Sequence, residues 1–340
     1  AYQNMDGMMP YPQARGVMRL RAKSHGGVFV AMANARTVQS QWENTGPGTV
    51  ETPVSGYSTA IHPLASPLKD ATPWVRWLNR DELARLADAT IGARVPHTAV
   101  RVLSKALESG PVLLSIPQDS TSEALSCAKC HRQARCAKCS GPLQLPADRS
   151  ESAPRCQWCG AAAIHWICPG CGHERMRVVR VGAAGTAAEL AGLFRSVPMV
   201  LSSKAQGLVR DVPCKPMIVI ATPGFEPRVR PVSNERGAAG HEYRAVAILD
   251  AWTSLYALGV DARLDTLTAW MRAVSLCAPR SRGGQALILG ETDPDIAQSL
   301  MMWDSRILAS KDLDERMETG MPPTVAAACV WGRRDAVMTL

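Results

Sequence analysis

Aromatic residues make up only 5% of the 340 positions, with three Phe among them, and no apolar run approaches 18 residues. The second absence excludes a helix of bilayer length. The opening Ala1-Tyr-Gln-Asn-Met-Asp6 lacks the basic-then-apolar design of a secretory signal, which predicts a cytoplasmic protein with no membrane partner. No G-x-x-x-x-G-K-[ST] loop and no Asp-Glu box occur. These residues therefore supply neither the phosphate cradle nor the metal-holding acid of ordinary phosphoryl transfer. A hydrophobic share of 46% over this length still suffices for two or three globular domains with a real core.

Cysteine is abundant, and it is concentrated. Eight of the eleven lie within 45 positions as four C-x-x-C pairs: Cys127/Cys130, Cys136/Cys139, Cys156/Cys159 and Cys168/Cys171. Such density inside a large chain favours metal over disulfide. Each pair is a knuckle that can offer a tetrahedral ion two thiolates from one tight turn, and two knuckles complete a four-cysteine site. The second and third are 16 residues apart, which matches a zinc-ribbon hairpin, with Gly141 and Pro142 starting the turn. The first and second are five apart, too close for a hairpin. The consistent solution is nested: Cys136, Cys139, Cys156 and Cys159 form an inner site, and Cys127, Cys130, Cys168 and Cys171 an outer one. Two Zn2+ per chain are expected. An iron–sulfur cluster is the main rival, but the ferredoxin spacings are absent. No ligand position is left open for catalysis.

Cys214, Cys277 and Cys329 stand alone and read as packing residues. His131, His165 and His173 lie among the knuckles, where substitution for a ligand or phosphate contact competes with the favoured reading of polar surface residues. Trp158 and Trp166 have two readings, stacking on exposed bases or packing against the metal hairpins, of which packing is favoured.

The formal charge is +8. Residues 127–180 hold nine Lys/Arg against three acidic residues, and this region includes Lys129, Arg132, Arg135, Lys138, Arg155, Arg175 and Arg177. Eight thiolates against two dications reduce that excess to about +2, so the basic ring is weaker than the raw count suggests. Nucleic acid is one partner such a ring fits; a solvated basic face is the other reading.

Periodicity supplies the framework. Residues 15–21 read as a helix leading into a strand at 27–31, and the polar stretch 43–73 as linker. Val100, Leu103 and Leu107 share one helical face, followed by a buried strand at 112–116. Beyond the cysteines, a helix from Thr186 is expected to bury Leu190, Leu193 and Phe194, with strands at 198–201, 217–221 and 245–249. A helix capped by Asp265 carries Leu267, Trp270, Met271 and Val274. A strand at 286–289 then precedes a helix with Ile296, Leu300 and Trp303. Alternating strand and helix predicts an α/β fold with a parallel sheet interrupted by the metal module. The apolar run 325–330 reads as the start of a further, truncated domain.

The residues also carry a resemblance. Cys127-Ala-Lys-Cys130, Ala134-Arg-Cys136-Ala-Lys-Cys139, Gly141-Pro-Leu143, Cys156-Gln-Trp-Cys159-Gly160 and Cys168-Pro-Gly-Cys171-Gly172 resemble the zinc module of the primosomal protein N-prime family, the PriA replication-restart helicases. Pro10-Tyr-Pro-Gln-Ala-Arg15, Gly110-Pro-Val-Leu-Leu114, Gly185-Thr186, Ile248-Leu-Asp250 and Gly320-Met-Pro-Pro323 resemble other family landmarks, so the likeness spans nearly the whole chain. Departures are as informative. Met32-Ala-Asn-Ala35 stands where ATP-driven members have Ser-Ala-Thr, and Pro117-Gln-Asp-Ser120 where they have Asn-Arg-Arg-Gly. Leu276-Cys-Ala-Pro-Arg280-Ser-Arg282 replaces the arginine-finger box. This erosion is similar to the actinobacterial branch, which keeps the helicase-like fold without recognisable motor motifs.

The resemblance implies a RecA-like lobe divided as 1–60 (end of a first lobe and linker), 61–126 and 174–305 (a second lobe), 127–173 (the two-zinc module) and 306–340 (the start of a C-terminal domain). It implies a nucleoid-associated restart factor that binds stalled or abandoned forks and promotes reloading of the replicative helicase. Its expected partners are forked DNA, primosome proteins, the helicase and its loader, and single-strand-binding protein. No catalytic residue is assigned, and nothing here supports ATP turnover. Two alternatives stand beside it: an ATP-dependent 3'-5' helicase whose motor motifs lie upstream, and a zinc-ribbon protein-interaction module.

Overall fold

The computed structural model describes residues 14–45, 64–117, 122–145, 153–181, 183–230 and 242–326. In chain order the helices are α1 (Ala14–Ser24), α2 (Val38–Thr45), α3 (Ala65–Ala71), α4 (Arg80–Arg85), α5 (His97–Leu107), α6 (Ala183–Leu193), α7 (Ala262–Val274), α8 (Pro294–Met302) and α9 (Arg306–Thr319). The strands are β1 (Trp74–Leu78), β2 (Val112–Ser115), β3 (Ser122–Cys127), β4 (Leu143–Gln144), β5 (Arg155–Cys156), β6 (Met176–Val181), β7 (Met199–Ser202), β8 (Asp211–Pro213), β9 (Ile218–Ala221), β10 (Arg228–Arg230), β11 (Ala245–Ile248) and β12 (Gln285–Leu289). Two compact units result: residues 64–303, and residues 1–63 with 304–340.

The larger unit is built on a six-stranded sheet in the order β1-β12-β11-β2-β9-β7, with every neighbouring pair parallel. A parallel sheet covered on both faces needs apolar residues at every position rather than at alternate ones. Val-Leu-Leu-Ser in β2, Ile-Val-Ile-Ala in β9 and Ala-Val-Ala-Ile in β11 meet this demand at all but Ser115, and all twelve residues are buried. Val112, Leu114, Ile218, Ile220, Ala245 and Ala247 form one core with Ala99, Leu103 and Leu107 of α5 and Leu190 of α6. α7 packs on β11 and β2, and α8 on β1. The expected α/β architecture is therefore present. β3 and β6 carry the chain out of the sheet and back as an antiparallel pair, and the cysteines lie between them.

Several local expectations differ from what forms. Residues 27–31 make no strand: no ladder partner reaches them among the described residues, and Val28 and Val30 are 89% and 67% exposed. The stretch read as linker contains α3 and ends just before β1, whose Arg76 and exposed Trp74 hide its strand pattern. Leu193 is exposed because α6 turns Thr186, Leu190 and the following Phe194 inward. Asp265 caps nothing: α7 begins at Ala262, which leaves Asp265 inside its first turn. Of the run 325–330, residues 327–330 lie outside the described residues.

In the smaller unit, α2 packs against α9. Gln41 Nε2 donates to Ser310 Oγ at 2.9 Å, and Val38, Leu308, Ala309 and Leu313 are buried. Arg15 of α1 is ion-paired with Glu43, which also accepts from Arg19 Nη1 at 2.7 Å. Among the described residues no helix is long and apolar enough to cross a membrane.

Candidate metal centres

The four knuckles are copies of one backbone device. In each, the first cysteine's N–H donates to the carbonyl five residues on: Cys127 to Arg132 (2.7 Å), Cys136 to Gly141, Cys156 to Ala161 and Cys168 to His173 (2.9 Å each). The residue after the second cysteine donates back to the first cysteine's carbonyl, from His131, Ser140 and Gly160 at 3.0 Å and from Gly172 at 2.9 Å. Closing so tight a turn requires positive φ at that residue, and the four values are 60°, 59°, 70° and 70°. Glycine meets the requirement freely in two knuckles, whereas His131 and Ser140 adopt it against their Cβ.

The turns aim the sulfurs inward as two groups, Cys127/Cys130/Cys168/Cys171 and Cys136/Cys139/Cys156/Cys159, each with its ligand atoms within 4.8 Å of one another. Across the outer group Cys127 Sγ lies 3.5 Å from Cys171 Sγ, and Cys130 Sγ 3.5 Å from Cys168 Sγ. Across the inner group Cys136–Cys159 is 3.7 Å and Cys139–Cys156 is 3.4 Å. Sulfurs about 2.3 Å from a central tetrahedral ion stand about 3.8 Å apart, whereas a disulfide needs about 2.05 Å. The spacing thus fits four thiolates around one ion, and the two groups could each hold a metal.

Electrostatics points the same way. Burial opposes charge on Cys127, but the N–H groups of Cys130 and Lys129 outweigh it and bring its thiol down to about 6. The N–H groups of Lys138 and Cys139 bring Cys136 down to about 7. Burial and the neighbouring sulfurs push Cys130 up to about 12. Cys139 accepts from the Gly141 N–H, yet burial and its three companions still push it up to about 12. Four negative sulfurs repel one another, and a central dication removes that repulsion.

Neither group includes a histidine. His131 instead turns its Nδ1 to the Gly92 carbonyl (3.2 Å), and His165 is exposed. Trp166 is buried and donates from Nε1 to the Arg135 carbonyl (3.0 Å), which is the packing role. Trp158, 47% exposed, tilts against Tyr256 with ring centroids 5.9 Å apart, and Tyr256 in turn meets Trp252 edge-on at 6.3 Å. Arg135 lies over the Tyr256 ring at 5.5 Å. On the outer side Arg80 Nη1 donates to the Cys130 carbonyl at 2.8 Å. These contacts seat the module on the sheet unit, and Arg80, Gly92, Trp252 and Tyr256 carry no local signal that marks them.

Lys129, Arg132, Arg135, Lys138, Arg155, Arg175 and Arg177 are all exposed. Arg177 Nε also reaches Ser126 Oγ (3.1 Å), and the Arg132 side chain lies across Gly170. Of the eroded motor positions, residues 118–120 lie outside the described residues. Arg280 and Arg282 form a single turn before β12, at the amino edge of the sheet, where Arg282 pairs with Glu242. Cys277 is buried and its thiol is pushed up to about 12, chiefly by burial; Cys214 is partly buried and Cys329 lies outside the described residues.

A further site sits at the carboxyl end of β11. Asp250, φ 53°, receives Arg94 Nε at 2.8 Å and Nη2 at 2.5 Å, and Arg94 also reaches Thr186 Oγ1 (2.6 Å) and Glu189 (3.0 Å). In the sequence Asp250 stands out only as part of a family landmark, and Thr186 as part of one and as the expected start of a helix. Arg94 does not stand out, because its partners lie 92 to 156 residues away.

No protein-family model matches the chain. It is 35% identical over 333 residues to the probable replication restart protein PriA of Mycobacterium leprae. It is 34% identical over 349 residues to the proteins of the same name from Mycobacterium bovis and Mycobacterium tuberculosis. Each alignment covers 97% of this chain and 48% of the relative, so the chain spans about half the length of the curated relatives it matches. Over nearly all of its own length the chain is therefore a homologue of the actinobacterial PriA replication restart proteins, the family that its knuckles and flanking residues resemble.

Proposed function

We propose that this chain is the zinc-bearing, fork-binding part of a replication restart factor, which recognises stalled or abandoned forks and promotes primosome assembly and reloading of the replicative helicase. The observation that carries the reading is the similarity to restart proteins along 97% of the chain. Each four-cysteine group holds one zinc ion. The soft, four-thiolate donor set suits zinc, and the ferredoxin spacings that would favour an iron–sulfur cluster are missing. Both ions are structural, since four protein ligands leave no open position.

DNA contact falls to the exposed cations around the metal hairpins: Lys129, Arg132, Arg135, Lys138, Arg155, Arg175 and Arg177. Contacts of this kind go to phosphates and carry no base sequence, so recognition is of fork structure. The replicative helicase, its loader, other primosome proteins and single-strand-binding protein are the protein partners, in the cytoplasm at the nucleoid. The 340 residues do not themselves turn over ATP, for want of a phosphate loop and a metal-holding acid.

Titration of forked against linear duplex at several salt concentrations tests this. Tighter fork binding is expected, with log affinity falling linearly in log salt and a slope that shrinks by about one for each phosphate-contacting Arg replaced. Equal affinity for both DNAs, or a flat salt dependence, refutes the fork reading. Metal analysis giving iron, or a single equivalent, refutes the zinc reading separately.

A further inference from the structure

The two metal groups are closed to different degrees. The outer one is sealed by a six-residue ladder, β3 against β6, in which Cys127 itself pairs with Met176. Its flank is fastened to the sheet unit through Arg80 to Cys130 and His131 to Gly92. Cys127 and Cys168 are 0% and 2% exposed, and the other two outer ligands are half-buried. The inner group is braced by a shorter ladder, Leu143 with Cys156 and Gln144 with Arg155, and by single bridges from Arg135 to Pro142 and from Arg155 to Ala162, with Trp158 and Arg135 against Tyr256. Its Cys159 is the one exposed cysteine among the eight. Across the group the Cys159 sulfur lies 3.7 Å from that of Cys136 on the facing knuckle.

Oxidation of a thiolate requires that the oxidant reach the sulfur, and completion to a disulfide requires a second sulfur close by. Cys159 and Cys136 meet both conditions. We propose that the inner four-cysteine group is a peroxide-oxidisable site, with Cys159 the entry thiolate and Cys136 the resolving one, and that its oxidation releases the inner metal while the outer is retained. The Cys159 thiolate attacks one oxygen of the hydroperoxide and the O–O bond breaks. This leaves a sulfenic acid, while the second oxygen departs as water (an alcohol for an organic hydroperoxide) after taking a proton. The Cys136 thiolate then attacks the sulfenic sulfur, which forms the S–S bond and expels hydroxide, protonated to water. The two sulfurs together lose two electrons and the peroxide gains them. Reaching disulfide length requires the sulfurs to close by about 1.7 Å, within what the loss of a shared ion permits. Trp158, beside Cys159, lies 5.9 Å from Tyr256, so the change also reports at that ring pair.

The proposal rests on both groups carrying metal, and metal content is therefore measured first. The loaded chain is treated with one equivalent of hydrogen peroxide. Released metal is followed with a chromogenic chelator, and disulfides are mapped by peptide mass spectrometry. One equivalent is expected to leave at least about tenfold faster than the second, with Cys136–Cys159 as the first disulfide. A tryptophan emission change should accompany it and be absent in Trp158→Phe. Loss of both metals at one rate, earlier loss of the outer metal, or a first disulfide other than Cys136–Cys159 overturns the proposal. Fewer than two equivalents at the start refutes the two-metal reading instead, and the disulfide map still decides this one.

Discussion

The parallel sheet and the metal module hold their chain in opposite ways. In the sheet, whole strands such as β2, β9 and β11 vanish into a core of aliphatic residues, and the backbone is fixed by neighbours on both sides. In the module half of the buried cluster is cysteine, and among the described residues its other buried members are Leu125, Ala134, Leu143 and Trp166. A core that small does not offset the entropy of ordering its chain. The sheet is thus held by apolar burial, and the module, on the proposed reading, by the ions its cysteines could bind.

The largest expected effect comes from removing metal. Structural zinc sites contribute on the order of 10 kcal/mol of folding free energy each. Chelation should therefore abolish amide protection in 122–145 and 153–181 while β2, β9 and β11 stay protected in hydrogen exchange. Parallel loss of protection in those strands would break the comparison. Cys168→Ser should cost only the outer ion, and Cys136→Ser only the inner.

Next in size is an electrostatic test within the sheet unit. The Arg94 side chain is 9% exposed and that of Asp250 1%, so Arg94→Ala leaves a buried carboxylate unpaired and should cost about 3–5 kcal/mol in denaturant unfolding. Arg85, 71% exposed and paired with Glu82, should cost far less when replaced by Ala. Similar losses for the two would show that burial does not set the cost.

The smallest effect is a pH dependence. Asp88 accepts from the N–H and hydroxyl of both Thr90 and Thr98, at 2.5 to 2.8 Å. Burial alone would favour the protonated acid, but these four donors hold its pKa well below the ordinary carboxylate range. A folded pKa below the unfolded value of about 3.9 gives stability that is complete above that pH and lost as pH falls toward the folded value. Asp88→Asn should lower stability at neutral pH by about 1–3 kcal/mol and flatten its decline in acid. An unchanged acid limb would assign the decline to other carboxylates.

What the sequence made legible follows the same division. β2, β9 and β11 stand out because continuous apolar runs are what a doubly covered sheet demands. β1 does not, since an edge strand may carry Arg76 and Trp74 and still pair along its length with β12. β8 and β10 offer one buried valine each, too little pattern to register. The knuckles need only a count of residues, because a hairpin requires room and five residues leave none. The seating of the module was illegible: Arg80, Gly92 and Tyr256 meet it from positions distant in sequence, and Arg94 meets Asp250 in the same way. Asp265 misled because an acidic residue just before an apolar helical face reads as a cap, whereas the helix begins one turn earlier, at Ala262.

The nesting of the two cysteine groups also ranks the entropic cost of closing them. Closing the outer group first would join Cys130 to Cys168 across 37 intervening residues, whereas the inner group bridges the 16 between Cys139 and Cys156. Once the inner bracket has closed, only five residues on one side and eight on the other separate it from the outer ligands. The entropic penalty of the outer closure falls with that shortening, by about 0.6 kcal/mol for each halving of the effective loop. The inner group is therefore the one whose closure costs the chain less entropy.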